Sequence, residues 1–357
     1  MTAAAPNPSN GTVASLSGAA IAGVVSCLPR KVVDNSYFVE KFGAAPLADV
    51  VKMIGVESRR WVAEGTTTAD LCVQAGQRLL QGLDWDPASV DGIIFVTQTP
   101  NYILPATACS MQTALGLRPG IAFDVNLGCS GYPYALWLAM TMVQSGAASR
   151  LLVAVGDTIS RIVDGEDRAT AMLFGDAGTV TAIERSADAS SAAHFLLGSD
   201  GRGERNLIIP EGRFKTVSAA QDPRLDGRKL DCLYMDGGEI FNFTLSSVPG
   251  LVASTLAQAG NDPIDSYAGF LFHQANAFML KHLIKKTKLP VDKAPINIGT
   301  YGNTSSASIP LLMTTSMAEA LRSRACKLAM FGFGVGYSWA GASLTCGPLR
   351  VVETIET

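Results

Sequence analysis

Ile121-Ala122-Phe123-Asp124-Val125-Asn126-Leu127-Gly128-Cys129-Ser130-Gly131 reads as a short strand that runs into a glycine-flanked turn around a cysteine. Tyr132-Pro133-Tyr134 then opens an apolar helical stretch, and a proline is tolerated there because the first helical turn has N–H groups without intrahelical partners. The same rhythm continues on either side. Gly92-Ile93-Ile94-Phe95-Val96 and a helix-like stretch over 106–117 come before it, and the apolar segment 134–143 and Leu151-Leu152-Val153-Ala154-Val155 come after. Such alternation marks an α/β protein with largely buried strands, in which helices cover both faces of a sheet.

The second half repeats the pattern. Ala268-Gly269-Phe270-Leu271-Phe272 is followed by a helix-like 277–288, a strand-like Pro295-Ile296-Asn297-Ile298, and a Thr-Ser-rich turn leading into a helical 309–321. Lys327-Leu328-Ala329-Met330-Phe331 and a glycine loop over 332–336 close the series. Setting Phe123 against Ile296, and Val153 against Phe331, gives an offset of roughly 175 residues, about half the chain. Any α/β chain resembles itself coarsely, so coincidence stands beside duplication. Duplication has the sharper consequence: the turns 126–131 and 302–306 become equivalent, and a pseudo-twofold axis brings Cys129 and Asn303 towards one cleft. The expected organisation is a loose tail over 1–17, a half over 18–186 that carries the cysteine, and a half over 187–357 that carries the histidine and asparagine.

With 48% hydrophobic and 17% charged residues, the chain can bury a large core. A net charge of −3 provides no basic field for nucleic acid, although a local basic patch can still dock an acidic protein. Residues 1–17 lack the basic start and apolar stretch of a secretory signal, and no apolar run approaches the length of a membrane span. The seven cysteines are odd in number and scattered, with no Cys-x-x-Cys pair. They read as buried thiols in a reducing compartment, which makes the protein cytoplasmic and gives no sign of zinc or a redox site.

Cys129 stands at a helix N-terminus, where partial positive charge and free N–H donors favour a thiolate and flanking glycines keep the approach open. Taken alone, a cysteine beside an apolar helix is a structural thiol; among the seven, only this one lies in a Gly-Cys-Ser-Gly turn. Of three histidines, His273 ends a buried strand and opens His273-Gln274-Ala275-Asn276, whereas His194 and His282 have no comparable surroundings. At the carboxyl edge of a sheet its ring can reach a ligand cleft. Asn303 has no acid-base chemistry, but its amide can donate to a developing oxyanion.

Taken together, the strings 126–134, Phe174-Gly175-Asp176-Ala177-Gly178, His273-Gln274-Ala275-Asn276, 302–310 and Gly334-Val335-Gly336-Tyr337-Ser338-Trp339 resemble a β-ketoacyl-acyl-carrier-protein synthase III, a condensing enzyme of the thiolase superfamily. The resemblance runs in family order over nearly the whole chain after the tail. It implies a thiolase-like five-layered αβαβα fold of two duplicated halves, a homodimer, and a Cys-His-Asn triad that uses neither metal nor cofactor. In that family the cysteine takes an acyl group from acyl-CoA or acyl-carrier protein. Malonyl-acyl-carrier protein then loses carbon dioxide and attacks the acyl-enzyme.

Carried over by position, Cys129 is the nucleophile, and His273 and Asn303 hold the malonyl thioester oxygen. The backbone N–H groups of Cys129 and Val335 bind the other oxyanion. Arg168 matches a CoA-contacting arginine, Phe241 a tunnel wall, and Asn276 joins the substrate contacts. Leu104 matches a position that reaches the neighbouring subunit's acyl pocket, and Lys285 and Lys286 match carrier-docking positions. The departures are Phe278 where a basic residue is usual, Asp49 and Met53 where an aromatic and an arginine often clamp the CoA nucleotide, and Gly238 where an asparagine often contacts the pantetheine. Lost cations remove charge-assisted contacts, so weak use of free CoA thioesters is expected. Two other readings of the fold are an acyltransferase that does not decarboxylate and a non-catalytic acyl-binding partner subunit. Either fatty acid synthesis or a specialised pathway fits the condensing role.

Overall fold

The computed structural model of the chain describes residues 11–186 and 192–357, and its strands form two large sheets. One runs in the order Val351–Glu356, Ala19–Leu28, Ala177–Arg185, Arg150–Asp157, Gly92–Val96, Ile121–Val125. The other runs Thr12–Leu16, Ala193–Ser199, Ser338–Cys346, Cys326–Gly334, Gly269–Phe272. Without the first strand of each, both sheets follow one plan: an antiparallel pair, a second antiparallel pairing, then a parallel neighbour. Shared order and direction of this kind follow from duplication and not from similar rhythm alone. The one mismatch is Pro295-Ile296-Asn297-Ile298, expected as the counterpart of Ile121–Val125. It forms no strand: Pro295 has no N–H to give a ladder, the Asn297 N–H donates to Gln274 Oε1 at 3.0 Å, and Ile298–Tyr301 turns into a short helix.

The chain termini are exchanged between the halves. Thr12–Leu16, expected in the loose tail, pairs antiparallel with Ala193–Ser199, with Ala14 and Leu16 against the core and Ser15 Oγ 2.9 Å from His194 Nδ1. Val351–Glu356, the last strand, pairs parallel with Ala19–Leu28 of the first half. A cut between 186 and 187 therefore leaves one strand of each half in the other's sheet. That boundary borders residues 187–191, which, like residues 1–10 of the expected tail, lie outside the described residues.

Helices and the two sheets alternate in five layers, αβαβα. Gly131–Gln144 lies between the sheets and buries Tyr132, Leu136, Ala139, Met140 and Val143; Ser308–Thr314 beside it is wholly buried. Because both sheets press on them, these helices are apolar on more than one face. Thr68–Leu83 covers the outer face of the first sheet. It starts with a capping box, in which the Thr67 N–H donates to Asp70 Oδ2 at 2.8 Å and Thr67 Oγ1 accepts from the Asp70 N–H at 3.3 Å. Gly237–Gln258 and Ala277–Thr287 cover the second sheet. Gly237–Gln258 has 22 residues and is long and apolar enough to cross a membrane, contrary to the expectation from apolar runs. Its serine, threonine and asparagine residues hide it from a search for unbroken runs, and it buries a stripe through Phe243, Val248, Leu251 and Val252 against the sheet.

Candidate active site

Cys129 lies in the turn between Ile121–Val125 and Gly131–Gln144 and lines a cavity of about 810 Å³ together with His273 and Asn303. The mirrored turns thus meet. Ser130 Oγ sits 2.6 Å from Ser338 Oγ, which ties the cysteine turn to the glycine loop, and the N–H groups of Cys129 and Val335 point at the Cys129 sulfur. Gly334 makes this approach possible, since a Cβ there would stand 2.8 Å from Cys129 Cβ and 2.9 Å from its Sγ. The thiolate expected from the helix terminus is not the resting form. Burial first, and then the charge of Asp157, push the Cys129 thiol up to about 12, and the converging N–H groups offset only part of that rise.

His273 continues the strand Gly269–Phe272, its N–H donating to the Phe331 carbonyl at 2.8 Å, and Phe333 meets the ring edge-on with centroids 5.7 Å apart. Burial drives its pKa down to about 3, against a smaller opposing hydrogen bond with the Ser305 backbone, so the ring is neutral at ordinary pH. Ser308 Oγ lies 2.8 Å from His273 Nδ1 and 2.8 Å from the Ser305 carbonyl. Its single proton serves one of the two acceptors. Turned to Nδ1, it leaves the ring proton on Nε2.

Asn303 is held by backbone on both sides: its N–H donates to the Leu173 carbonyl at 2.9 Å, and its carbonyl accepts from the Gly175 N–H at 3.0 Å. Gly302, with φ of 69°, permits that approach, for a Cβ there would stand 2.8 Å from the Leu173 carbonyl oxygen. Asn303 Oδ1 accepts from the Ser305 N–H at 2.9 Å, while Nδ2 makes only a long 3.4 Å contact to the Ala275 carbonyl. This fixes the amide with its NH₂ as the group available to a ligand. A buried thiol therefore faces a neutral imidazole and an oriented amide donor, a set suited to an acyl-enzyme and to an enolate oxygen.

Comparison with known proteins gives a consistent result. Residues 123–201 match the family description 3-oxoacyl-[acyl-carrier-protein (ACP)] synthase III, and residues 256–346 match its C-terminal counterpart. The chain is 36% identical to β-ketoacyl-[acyl-carrier-protein] synthase III 2 of Streptomyces coelicolor, over 94% of this chain and 96% of that one. It is 31% identical to the synthase III of Caldanaerobacter subterraneus subsp. tengcongensis, over 91% and 96%. It belongs to the β-ketoacyl-acyl-carrier-protein synthase III family. A solved 3-oxoacyl-(acyl-carrier protein) synthase from Burkholderia xenovorans superimposes with a TM-score of 0.96 at 59% identity, covering 98% of this synthase and all of that chain.

The other residues assigned by position in this synthase III separate into groups. Arg168, Phe241 and Asn276 line the same cavity as the triad, and so do Met53, Gly238 and Phe278. Phe241 and Phe278 stack with centroids 6.0 Å apart and planes at 24°. Asn276 caps the helix Ala277–Thr287, its Oδ1 accepting from the Met279 N–H at 2.8 Å, so that oxygen is engaged before any substrate arrives. Leu104 lies outside the cavity, 80% exposed beside exposed Tyr102 and Ile103. Lys285 and Lys286 are exposed in the last turn of Ala277–Thr287, and Lys286 Nζ donates to the Leu245 carbonyl at 2.8 Å.

Sequence reading passes over Ser305, Ser308 and Asp157. Ser305 and Ser308 lie within the 302–310 string, and Asp157 ends the strand that begins at Arg150, at the sheet's carboxyl edge, a position that signals a ligand cleft. Replacing Gly334 by Ala should push the new methyl into Cys129, slowing acylation at least about tenfold and destabilising the fold by about 1–3 kcal/mol. Acylation followed by intact mass, together with thermal unfolding, measures both; unchanged acylation would show that the glycine loop does not hold the nucleophile.

Proposed function

We propose that this synthase III takes an acyl group from a thioester onto Cys129 and condenses it with malonyl-acyl-carrier protein with loss of carbon dioxide. The observation that carries the reading is the meeting of a buried thiol, a neutral His273 and an NH₂-directed Asn303 in one apolar cavity. In the first step the Cys129 sulfur replaces the donor's thiol on the acyl carbon, with the N–H groups of Cys129 and Val335 donating to the tetrahedral oxyanion. In the second, the malonyl C–CO₂ bond breaks and its electron pair forms a thioester enolate. Neutral donors suit that oxygen, so His273 serves through Nε2–H, with Ser308 donating to Nδ1, beside the Asn303 amide. The enolate carbon attacks the acyl carbon, and Cys129 leaves and is reprotonated.

Hydrolysis of the acyl-enzyme would need a carboxylate free to activate water, and the carboxylates lining the cavity are already paired. Glu166 meets Lys41 at 2.7 Å, and Asp167 meets Arg228 at 3.5 Å while capping the Ala169 N–H. Release of carbon dioxide in step with product separates condensation from acyl transfer to another acceptor.

The same site favours a carrier-bound donor over free CoA. Met53 and Phe278 put apolar side chains, 56% and 52% exposed, where the family usually sets cations, and Arg168 remains. Exposed Lys281, Lys285 and Lys288 give an acidic carrier a basic face to dock on. Acyl-carrier protein should acylate Cys129 at least about tenfold more efficiently than the matching acyl-CoA, and Phe278→Arg should narrow the gap several-fold. Equal efficiencies in the wild type would contradict this.

The proposed assembly is a cytoplasmic homodimer. Ile121–Val125 is a half-buried edge strand, and the exposed Tyr102-Ile103-Leu104 run is an apolar surface that a second copy would cover. All seven cysteines are free, in keeping with a reducing compartment.

A further inference from the structure

The Asn303 backbone hangs on residues 173–175, through the Leu173 carbonyl and the Gly175 N–H, so whatever steadies that stretch also steadies the amide. Arg59 does so from the far side. It stands in the middle of the short strand Ser58–Arg60, its side chain wholly buried, and its hydrogen bonds all go to neutral oxygens. Nη2 donates to the Met172 carbonyl at 2.8 Å and to Asn35 Oδ1 at 2.9 Å, and Nη1 donates to the Val33 carbonyl at 3.2 Å. The Phe38 ring lies 4.8 Å from the guanidinium carbon, while Nε has no partner. Among the described residues no carboxylate is hydrogen-bonded to this cation.

A buried charge without an ion pair is costly, and an apolar side chain would fill the same space without that cost. What an apolar chain cannot do is join three separate segments at fixed angles, as the planar guanidinium fork does here. It ties the strand Val32–Asp34 and the first residue of the helix Asn35–Phe42 to Met172, which leads directly into Leu173. Asn35 is itself held, its Nδ2 donating to the Val56 carbonyl at 2.9 Å. The stem of Arg59 also meets the asparagine turn: a Cβ on Gly302 would stand 3.1 Å from Arg59 Cβ, and one on Gly175 3.3 Å. Next to it, the Glu57 N–H donates to the Gly299 carbonyl at 2.8 Å and Ser58 Oγ to the Thr300 carbonyl at 3.0 Å. The other two members of the triad have different anchors, Ser338 and Gly334 for the Cys129 turn, and the Phe331 carbonyl and Ser308 for His273.

We infer that Arg59 is a positioning residue for condensation, holding the Asn303 amide at the enolate oxygen by clamping Met172 and backing Gly302. It touches neither substrate nor reacting atoms. Without the clamp, residues 172–175 are free to shift and the amide shifts with them, and a preorganised donor loses much of its effect when it is misplaced by a fraction of an ångström. Acylation of Cys129 does not use that amide, so the first step is spared. This rests on the enolate role proposed above for Asn303.

The test measures both steps in the full-length protein: acylation by an acyl-carrier thioester, read by intact mass, and carbon dioxide release when malonyl-carrier protein meets the pre-acylated enzyme. Arg59→Met should slow condensation by about tenfold and leave acylation within about twofold of the wild type. In an Asn303→Ala background the same substitution should change condensation by less than about twofold, because the group it positions is gone. Arg59→Lys keeps the charge and one donor at a time, so it should recover part of the condensation rate, and it carries the same comparison if the methionine variant does not fold. Condensation at the wild-type rate, equal slowing of both steps, or the same loss with and without Asn303 would each overturn the positioning role alone. Asn303→Ala that condenses as fast as the wild type would overturn the enolate role proposed above as well, so the two failures are distinct.

Discussion

His273→Ala should leave Cys129 able to take an acyl group while slowing condensation by at least about 10²-fold, the usual cost of losing one preorganised oxyanion donor. The two steps separate because the ring belongs to the second. Acylation relies on the N–H groups of Cys129 and Val335, which converge on the sulfur whatever stands at position 273. Decarboxylation puts negative charge on the malonyl thioester oxygen in a buried cavity, and a donor removed there is not replaced by water. The folded-state pKa of His273 lies near 3, far below its ordinary value, so the neutral ring persists at every higher pH. Condensation from pre-acylated enzyme should therefore show no histidine limb between about pH 5 and 8, the range in which an ordinary imidazole titrates, measured as carbon dioxide released from malonyl-carrier. A limb near the ordinary histidine value of about 6.5 that disappears in His273→Ala would mean that a charged imidazole takes part.

Cys129→Ala should lower condensation on the order of 10⁴-fold or more, because no other group can carry the acyl chain. Of the seven cysteines, only Cys129 lines the cavity. The alanine variant keeps His273 and Asn303 in place, so malonyl-carrier should still lose carbon dioxide without forming product. Complete loss of decarboxylation along with condensation would show that enolate formation needs the acyl-enzyme, and would contradict a division of labour in which His273 and Asn303 stabilise the enolate independently of Cys129.

Much of this site is legible in the sequence because its groups sit at strand ends inside short strings. Cys129 and Asn303 stand in mirrored turns, which predicts that they converge, and His273 ends a buried strand at the sheet's carboxyl edge, where its ring can reach the same cleft. The layered fold follows from the same rhythm. What local pattern does not carry is set by contacts far along the chain. Thr12–Leu16 looks like a tail until Ala193–Ser199 offers it an edge, and Pro295-Ile296-Asn297-Ile298 looks like a strand until Gln274 takes the Asn297 N–H. The thiolate expected at Cys129 fails for a related reason: a helix terminus is visible in sequence, whereas the burial that outweighs it, and the charge of Asp157 that adds to it, depend on the packed cavity. Ser305 is hidden within a recognised string, its φ of 51° and its unpartnered hydroxyl being properties of the folded chain alone.

The most direct test of the central claim is intact-protein mass spectrometry of the wild type with acyl-carrier protein, before and after malonyl-carrier protein is added. The expected result is an acyl mass on Cys129 that disappears on adding the malonyl thioester, with one carbon dioxide and one β-ketoacyl product for each acyl group lost. An acyl mass that is discharged without carbon dioxide, or none at Cys129 with any donor, would contradict a decarboxylating condensation at this cavity.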